Sequence, residues 1–153
     1  MIFVIMPKSR RKFKIHFFYS TKKFQYPRNS LLLKKFIEKI FILEGVHLKN
    51  LNYVFCDDKE LLAINVQYLD HNYYTDIITF VLSEKTELIQ GESYISIDRV
   101  KENSDSMNIP FGKELLRVMF HGALHLCGYN DKTKEDALLM RKKEDFYLSL
   151  YNN

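Results

Sequence analysis

The stretch Phe120-His121-Gly122-Ala123-Leu124-His125-Leu126-Cys127-Gly128-Tyr129-Asn130-Asp131 decides how this chain is read. His121 and His125 are four residues apart, about one helical turn, so both imidazoles leave the same face of a helix. Gly128 follows where a glycine in the left-handed conformation ends a helix and turns the chain back. Asp131 then arrives as a third donor. Two imidazoles and one carboxylate with an open fourth position are the ligand set of a catalytic zinc site, one ion per chain. A different divalent cation is also compatible with that set, and the competing reading is two satisfied core histidines on an apolar helix.

The spacing His-x3-His-x2-Gly-x2-Asp resembles the metal helix of metzincins, with Asp131 in place of the third histidine. Gly122 occupies the position where zincin proteases carry their glutamate base, which argues against peptide hydrolysis. Pro110 breaks the chain before this segment, and the apolar run from Leu115 to Cys127 predicts a buried helix. Cys127 lies about 200° around the axis from His125, so it is not a ligand. Arg117, one turn before His121, is a candidate for contact with a substrate phosphate or for a salt bridge to Glu114.

Outward from the helix, Phe13, Ile15, Phe17 and Tyr19 alternate with polar residues and predict a half-buried strand. Ser30 is placed to cap a helix that runs to about Glu44 and stops at Gly45. Leu51, Tyr53 and Phe55 mark a second strand. Asp57 and Glu60 then form a capping-box pattern for a helix to about Tyr68, burying Leu61, Leu62, Ile64 and Val66. Residues 70–76 read as a loop, in which Tyr73 and Tyr74 are candidates either for stacking on bases or for ordinary packing. Ile77–Leu82 predicts a buried strand, Gly91 a turn, and Ser93–Ile97 the strand that completes a hairpin. Asp98 is expected to cap a short helix, and Thr133 a last helix over 134–148 with Met140 in the core.

At 153 residues with 46% hydrophobic side chains the chain suits one domain with a real core. No apolar run is long enough to span a bilayer, and the apolar start is too short for a signal sequence. Cys56 and Cys127 lie in core-like segments, which fits reduced thiols in a cytoplasm. The net charge of +4 is unevenly spread: residues 1–30 hold eight Lys or Arg and no acid. Residues 1–12 therefore form a basic extension ahead of a domain over 13–153. Lys12 and Lys14 make it either a phosphate-neutralising arm for RNA or a solvated tail.

The segment His-Gly-x-Leu-His-Leu-x-Gly-Tyr at 121–129 resembles the signature of the YbeY family, bacterial rRNA maturation factors. The resemblance runs over roughly 50–148, through Asn65-x-x-Tyr68, Thr75-Asp76-Ile77-Ile78-Thr79-Phe80 and Gly91-Glu92 in the family's order. It implies an α+β, zincin-like single domain: a mixed β-sheet of about four strands packed with helices, the metal site on a buried helix. It implies a zinc-dependent, single-strand-specific endoribonuclease acting in 16S rRNA 3′-end maturation and ribosome quality control. The implied partners are the small ribosomal subunit, its proteins and an assembly GTPase, with no membrane. Asp76 enters as a catalytic or supporting carboxylate through the family's Thr-Asp block; the alternative is a loop-fixing Asx turn. Two departures stand out. The family signature most often ends in histidine where Asp131 stands, and family members commonly carry an arginine where Leu69 stands, which leaves His71 as a candidate RNA contact. Missing an obvious base, the chain also fits a second class: a non-catalytic ribosome-assembly factor with a structural metal.

Overall fold

The computed structural model describes residues 13–26, 30–84 and 88–152; Lys12 and the rest of the basic extension lie outside them. Four strands, β1 (Ile15–Tyr19), β2 (Leu48–Cys56), β3 (Ile77–Val81) and β4 (Ile89–Ser96), form one sheet in the order β1-β2-β4-β3. The first three neighbours run parallel and β3 runs antiparallel to β4, giving the expected mixed sheet. The helices are α1 (Leu31–Leu43), α2 (Asp58–Leu69), α3 (Ile97–Ser106), α4 (Phe111–Leu126) and α5 (Lys134–Asn152).

Alternation in β1 and β2 sends Ile15, Leu51, Tyr53 and Phe55 to one face, where they meet Leu33, Ile37, Ile40 and Phe41 of α1 and the apolar side of α4. Met140, Tyr147 and Leu148 of α5 close the same core. The Tyr53 hydroxyl, buried there, donates to the Met119 carbonyl of α4 at 2.8 Å. On the opposite face α2 covers a smaller cluster of Cys56, Leu61 and Ile78. His16 falls on that second face, in register with Asn52.

Several expectations are corrected. Ser30 stands at the N-cap of α1 but its side chain caps nothing. Asp57 does cap α2, accepting from the Glu60 amide at 2.9 Å, whereas the Glu60 carboxylate turns to Ser20 instead of closing the box. In α2 the buried positions are Leu61 and Asn65, and Val66 is exposed. The 77–82 run is an edge strand with Ile78 alone buried; Ile77 packs against the main core, and Ile78 and Phe80 belong to the smaller cluster on the other face. Gly91 is no turn. It lies within β4, where a Cβ would come 2.5 Å from Leu126 Cδ1, so the bare backbone lets α4 approach the sheet. Ser96, not Asp98, caps α3, and Asp98 instead accepts from the Asp58 amide. Thr133 does cap α5 through the Asp136 amide at 3.0 Å, and the helix runs on to Asn152.

Candidate metal centre

Pro110, whose φ is fixed and whose missing N–H is no loss at a helix start, precedes α4. The helix buries Val118, Met119, Phe120, Gly122, Ala123 and Leu124, leaving His121 and His125 on the partly open side. Its end is the predicted glycine turn. Gly128 has φ +100°, its N–H reaches His125 O at 3.0 Å, and the Tyr129 N–H reaches Leu124 O at 3.1 Å. This paired closure is a Schellman motif, and it reverses the chain so that Asp131 returns over the histidines.

The three candidate ligand atoms converge. His121 Nε2 and His125 Nε2 are 2.9 Å apart, and Asp131 Oδ2 lies 3.3 Å from the first and 3.4 Å from the second. Donors at about 2.05 Å from a tetrahedral cation would be about 3.3 Å apart. The chemistry at the far side of each ring agrees. His125 Nδ1 is 2.8 Å from the Tyr129 carbonyl oxygen, which can only accept, so Nδ1 carries the proton. His121 Nδ1 is 2.6 Å from Glu144 Oε1, again an acceptor when ionised. A neutral ring with its proton on Nδ1 presents a lone pair at Nε2. Two such lone pairs and a carboxylate oxygen then point at one small volume. Repulsion among them is relieved by a cation, and among the described residues no other group of three donors converges this way.

The supports come from elements far away in sequence. Glu144 of α5 is buried; burial raises its pKa, but the His121 hydrogen bond and the Arg117 charge outweigh that and hold it below the ordinary range. Arg117 is engaged by Glu114 and, at 3.3 Å, by Glu144, and its guanidinium stands 3.9 Å from Asp76. Of its two readings the geometry fits the salt bridge, and its donors already face carboxylates. Asp76 accepts from Asn103 at 3.2 Å; burial raises its pKa, partly opposed by Arg117. Behind His125, the Tyr129 hydroxyl donates to Glu44 at 2.7 Å, and Glu44 also receives Lys143 at 2.9 Å and the Tyr147 hydroxyl.

His121, His125 and Asp131 open into a cleft of about 420 Å³, which Asp76, His71, Tyr73, Leu69 and Lys132 also line. The structure thus brings His71 and Asp76 into one cleft with His121, His125 and Asp131, while Lys14 lines other surface hollows. Sequence reasoning missed Glu144, Glu44 and Lys132. A signal for Glu144 existed: Met140, Glu144, Tyr147 and Leu148 follow helical spacing, so a carboxylate holds a core position.

The family profile described as "Endoribonuclease YbeY" matches residues 15–152. The chain belongs to the YbeY endoribonuclease family. A relative named Endoribonuclease YbeY from Flavobacterium psychrophilum is 50% identical over 116 residues, 76% of this chain and 82% of that protein. Another of that name, from Amoebophilus asiaticus, is 42% identical over 143 residues, 94% of each. A Thermotoga maritima protein known from a solution structure superposes with TM-score 0.57 at 28% identity, over 90% of this chain and 88% of that one.

Within the YbeY frame the reason for Gly122 is now physical. A Cβ there would sit 2.7 Å from Ile77 Cδ1 and 3.1 Å from both Ser93 Oγ and Thr79 Oγ1. The helix is pressed onto β3 and β4 at this point, so any side chain would have to displace the Ile77 tip and crowd the Ser93 and Thr79 hydroxyls, which disfavours a zincin-type glutamate. Among the described residues no helix is long and apolar enough to cross a membrane.

Proposed function

We propose that this chain is a metal-dependent, single-strand-specific endoribonuclease that matures the 3′ end of 16S rRNA and takes part in ribosome quality control. The observation that carries the reading is the meeting of His121 Nε2, His125 Nε2 and Asp131 Oδ2 within 3.4 Å of one another at the floor of an open cleft. His121, His125 and Asp131 would hold the cation, with zinc the best match to two imidazoles and manganese made more competitive by the carboxylate. When bound, such a cation supplies Lewis acidity toward water and a phosphoryl oxygen. Asp76, whose burial favours the protonated form, suits the role of taking a proton from the attacking oxygen. Arg117 fits a positioning role, balancing Glu114, Glu144 and Asp76. Lys132 and His71, on the cleft walls, suit contact with the RNA chain, and Lys12 and Lys14 suit longer-range attraction of phosphates.

The natural setting of such an activity is the cytoplasm, on the small ribosomal subunit, with its proteins and an assembly GTPase as neighbours. A purely structural metal is less well supported. Structural zinc is normally closed by four protein ligands, whereas here three converge and the Asp131 side chain is 42% exposed to the cleft.

The test is metal content and RNA cleavage in one preparation. Purified protein should carry about one zinc per chain and cut a single-stranded RNA, with loss on chelation and recovery with zinc. Asp131→Ala should lose both metal and cleavage while keeping its circular dichroism. Undiminished metal in that variant would refute the ligand set, and cleavage that survives in His121→Ala would refute the site.

A further inference from the structure

We propose that His71 and Tyr73 form a nucleobase-stacking subsite on the rim of the metal cleft, holding one base of the single-stranded RNA whose backbone enters it. The proposal rests on the endoribonuclease reading and adds to it the group that grips the substrate where Leu69 offers no charge.

The two rings are stacked, with centroids 5.1 Å apart and planes at 23°, and Tyr73 Oη is 3.0 Å from His71 Nδ1. They line the same cleft as His121, His125 and Asp131. Tyr73 is 57% exposed, so its ring is open to a ligand in the cleft that it lines. The loop that carries them is braced. Asn65 is 1% exposed and ties both ends: its carbonyl accepts from the His71 amide at 3.2 Å and from the Asp70 amide, and its side-chain amide donates to the Tyr73 carbonyl at 2.9 Å. Asp70 takes a left-handed conformation, φ +54°, to make the turn. Two exposed rings are therefore held ready on a loop fixed by a buried amide, and little freedom remains to be lost on binding.

Tyr74 is exposed too, but the Arg99 guanidinium stands 4.6 Å from its ring centroid, so one of its faces is already met by a charged group of its own chain. Among the described residues, Tyr73 and His71 stack only on each other. A stacked aromatic pair and the cationic Lys132 line one cleft, a combination that suits a base and a phosphate, since every base has a π-face that stacks without sequence preference.

The experiment measures equilibrium binding by fluorescence anisotropy with a labelled 2′-O-methyl oligoadenylate, its integrity checked on a gel afterwards. A matched oligomer made abasic at successive positions is the second probe. Wild-type protein should lose roughly tenfold in affinity when the base at one position is removed, in the range of a single stacked base. Tyr73→Ala should bind the full oligomer roughly tenfold more weakly and be indifferent to that abasic position; Tyr73→Phe should behave as wild type toward it. Equal affinity of Tyr73→Ala and wild type for the full oligomer would overturn the subsite. So would an abasic penalty that persists in Tyr73→Ala, or failure of wild type to bind either probe. RNA cleavage that depends on His125 can stand through any of these results, so loss of the subsite and loss of the enzyme reading are separable.

Discussion

Glu144 Oε1 lies 2.6 Å from His121 Nδ1, so α5 sets the orientation of the first of the three converging candidate ligands. The residue before it completes the pattern. Lys143 reaches Glu44 at 2.9 Å, Glu44 accepts the Tyr129 hydroxyl at 2.7 Å, and the Tyr129 carbonyl holds His125 Nδ1 at 2.8 Å. Two adjacent residues of α5 thus brace both histidines, one directly and one through α1 and the glycine turn.

Groups that fix the far nitrogen of a ligating histidine tune affinity by about 10- to 100-fold. Glu144→Gln keeps the volume and one acceptor oxygen but removes the charge that polarises His121. Zinc affinity, measured by competition with a chromogenic chelator, should fall by roughly that factor while circular dichroism is kept. Unaltered affinity would mean that His121 needs no carboxylate behind it.

The same carboxylates govern behaviour in acid. Burial pushes the Glu44 pKa up, but the hydrogen bonds from Tyr147, Tyr129 and Lys143 outweigh it, and its folded value lies below the ordinary one. Glu144 is depressed likewise by His121 and Arg117. A depressed carboxylate stabilises the fold above its unfolded pKa of about 4.3, and that contribution is lost as pH falls through the folded value. Thermal midpoints should therefore drop on acidification below about pH 4.5. Glu44→Gln should start lower at pH 7 and show a shallower drop, and a parallel curve would assign acid sensitivity elsewhere.

Asp76 has the opposite sign. Burial raises its pKa, so the ionised form is disfavoured in the fold and its contribution to stability shrinks as pH rises through the folded value. Asp76→Asn mimics the protonated acid and keeps an oxygen for Asn103. The variant should melt higher than the wild type at pH 7. RNA cleavage should fall by roughly 100-fold or more as the proton acceptor is lost. A lower midpoint together with retained cleavage would make Asp76 a loop-fixing residue only.

The centre of the site was legible because its signal is local. His121, His125, Gly128 and Asp131 fall within eleven residues, and one helix with one glycine turn determines their convergence. The mixed sheet was legible in the family's ordered blocks. What was not legible depends on tertiary packing. The edge position of β3 follows from which strands neighbour β4, and Gly91 reads as a turn until α4 is laid against it. The partners Glu44 and Glu144 lie 81 and 23 residues from the histidines they serve, beyond any spacing rule.

Asp131 offers the last test, because it is the candidate ligand least constrained by packing. It stands just past the Schellman turn on the open side of the cleft, with its side chain 42% exposed, so a larger ring can be accommodated without displacing core atoms. A carboxylate in place of an imidazole adds a negative charge among the ligands and a harder donor, which weakens the preference for zinc over manganese. Asp131→His should therefore raise the ratio of zinc to manganese affinity, through tighter zinc and weaker manganese binding. Competition titrations with both metals on both proteins measure this directly. An unchanged ratio would mean that residue 131 does not touch the cation, and that His121 and His125 hold it with a different third group.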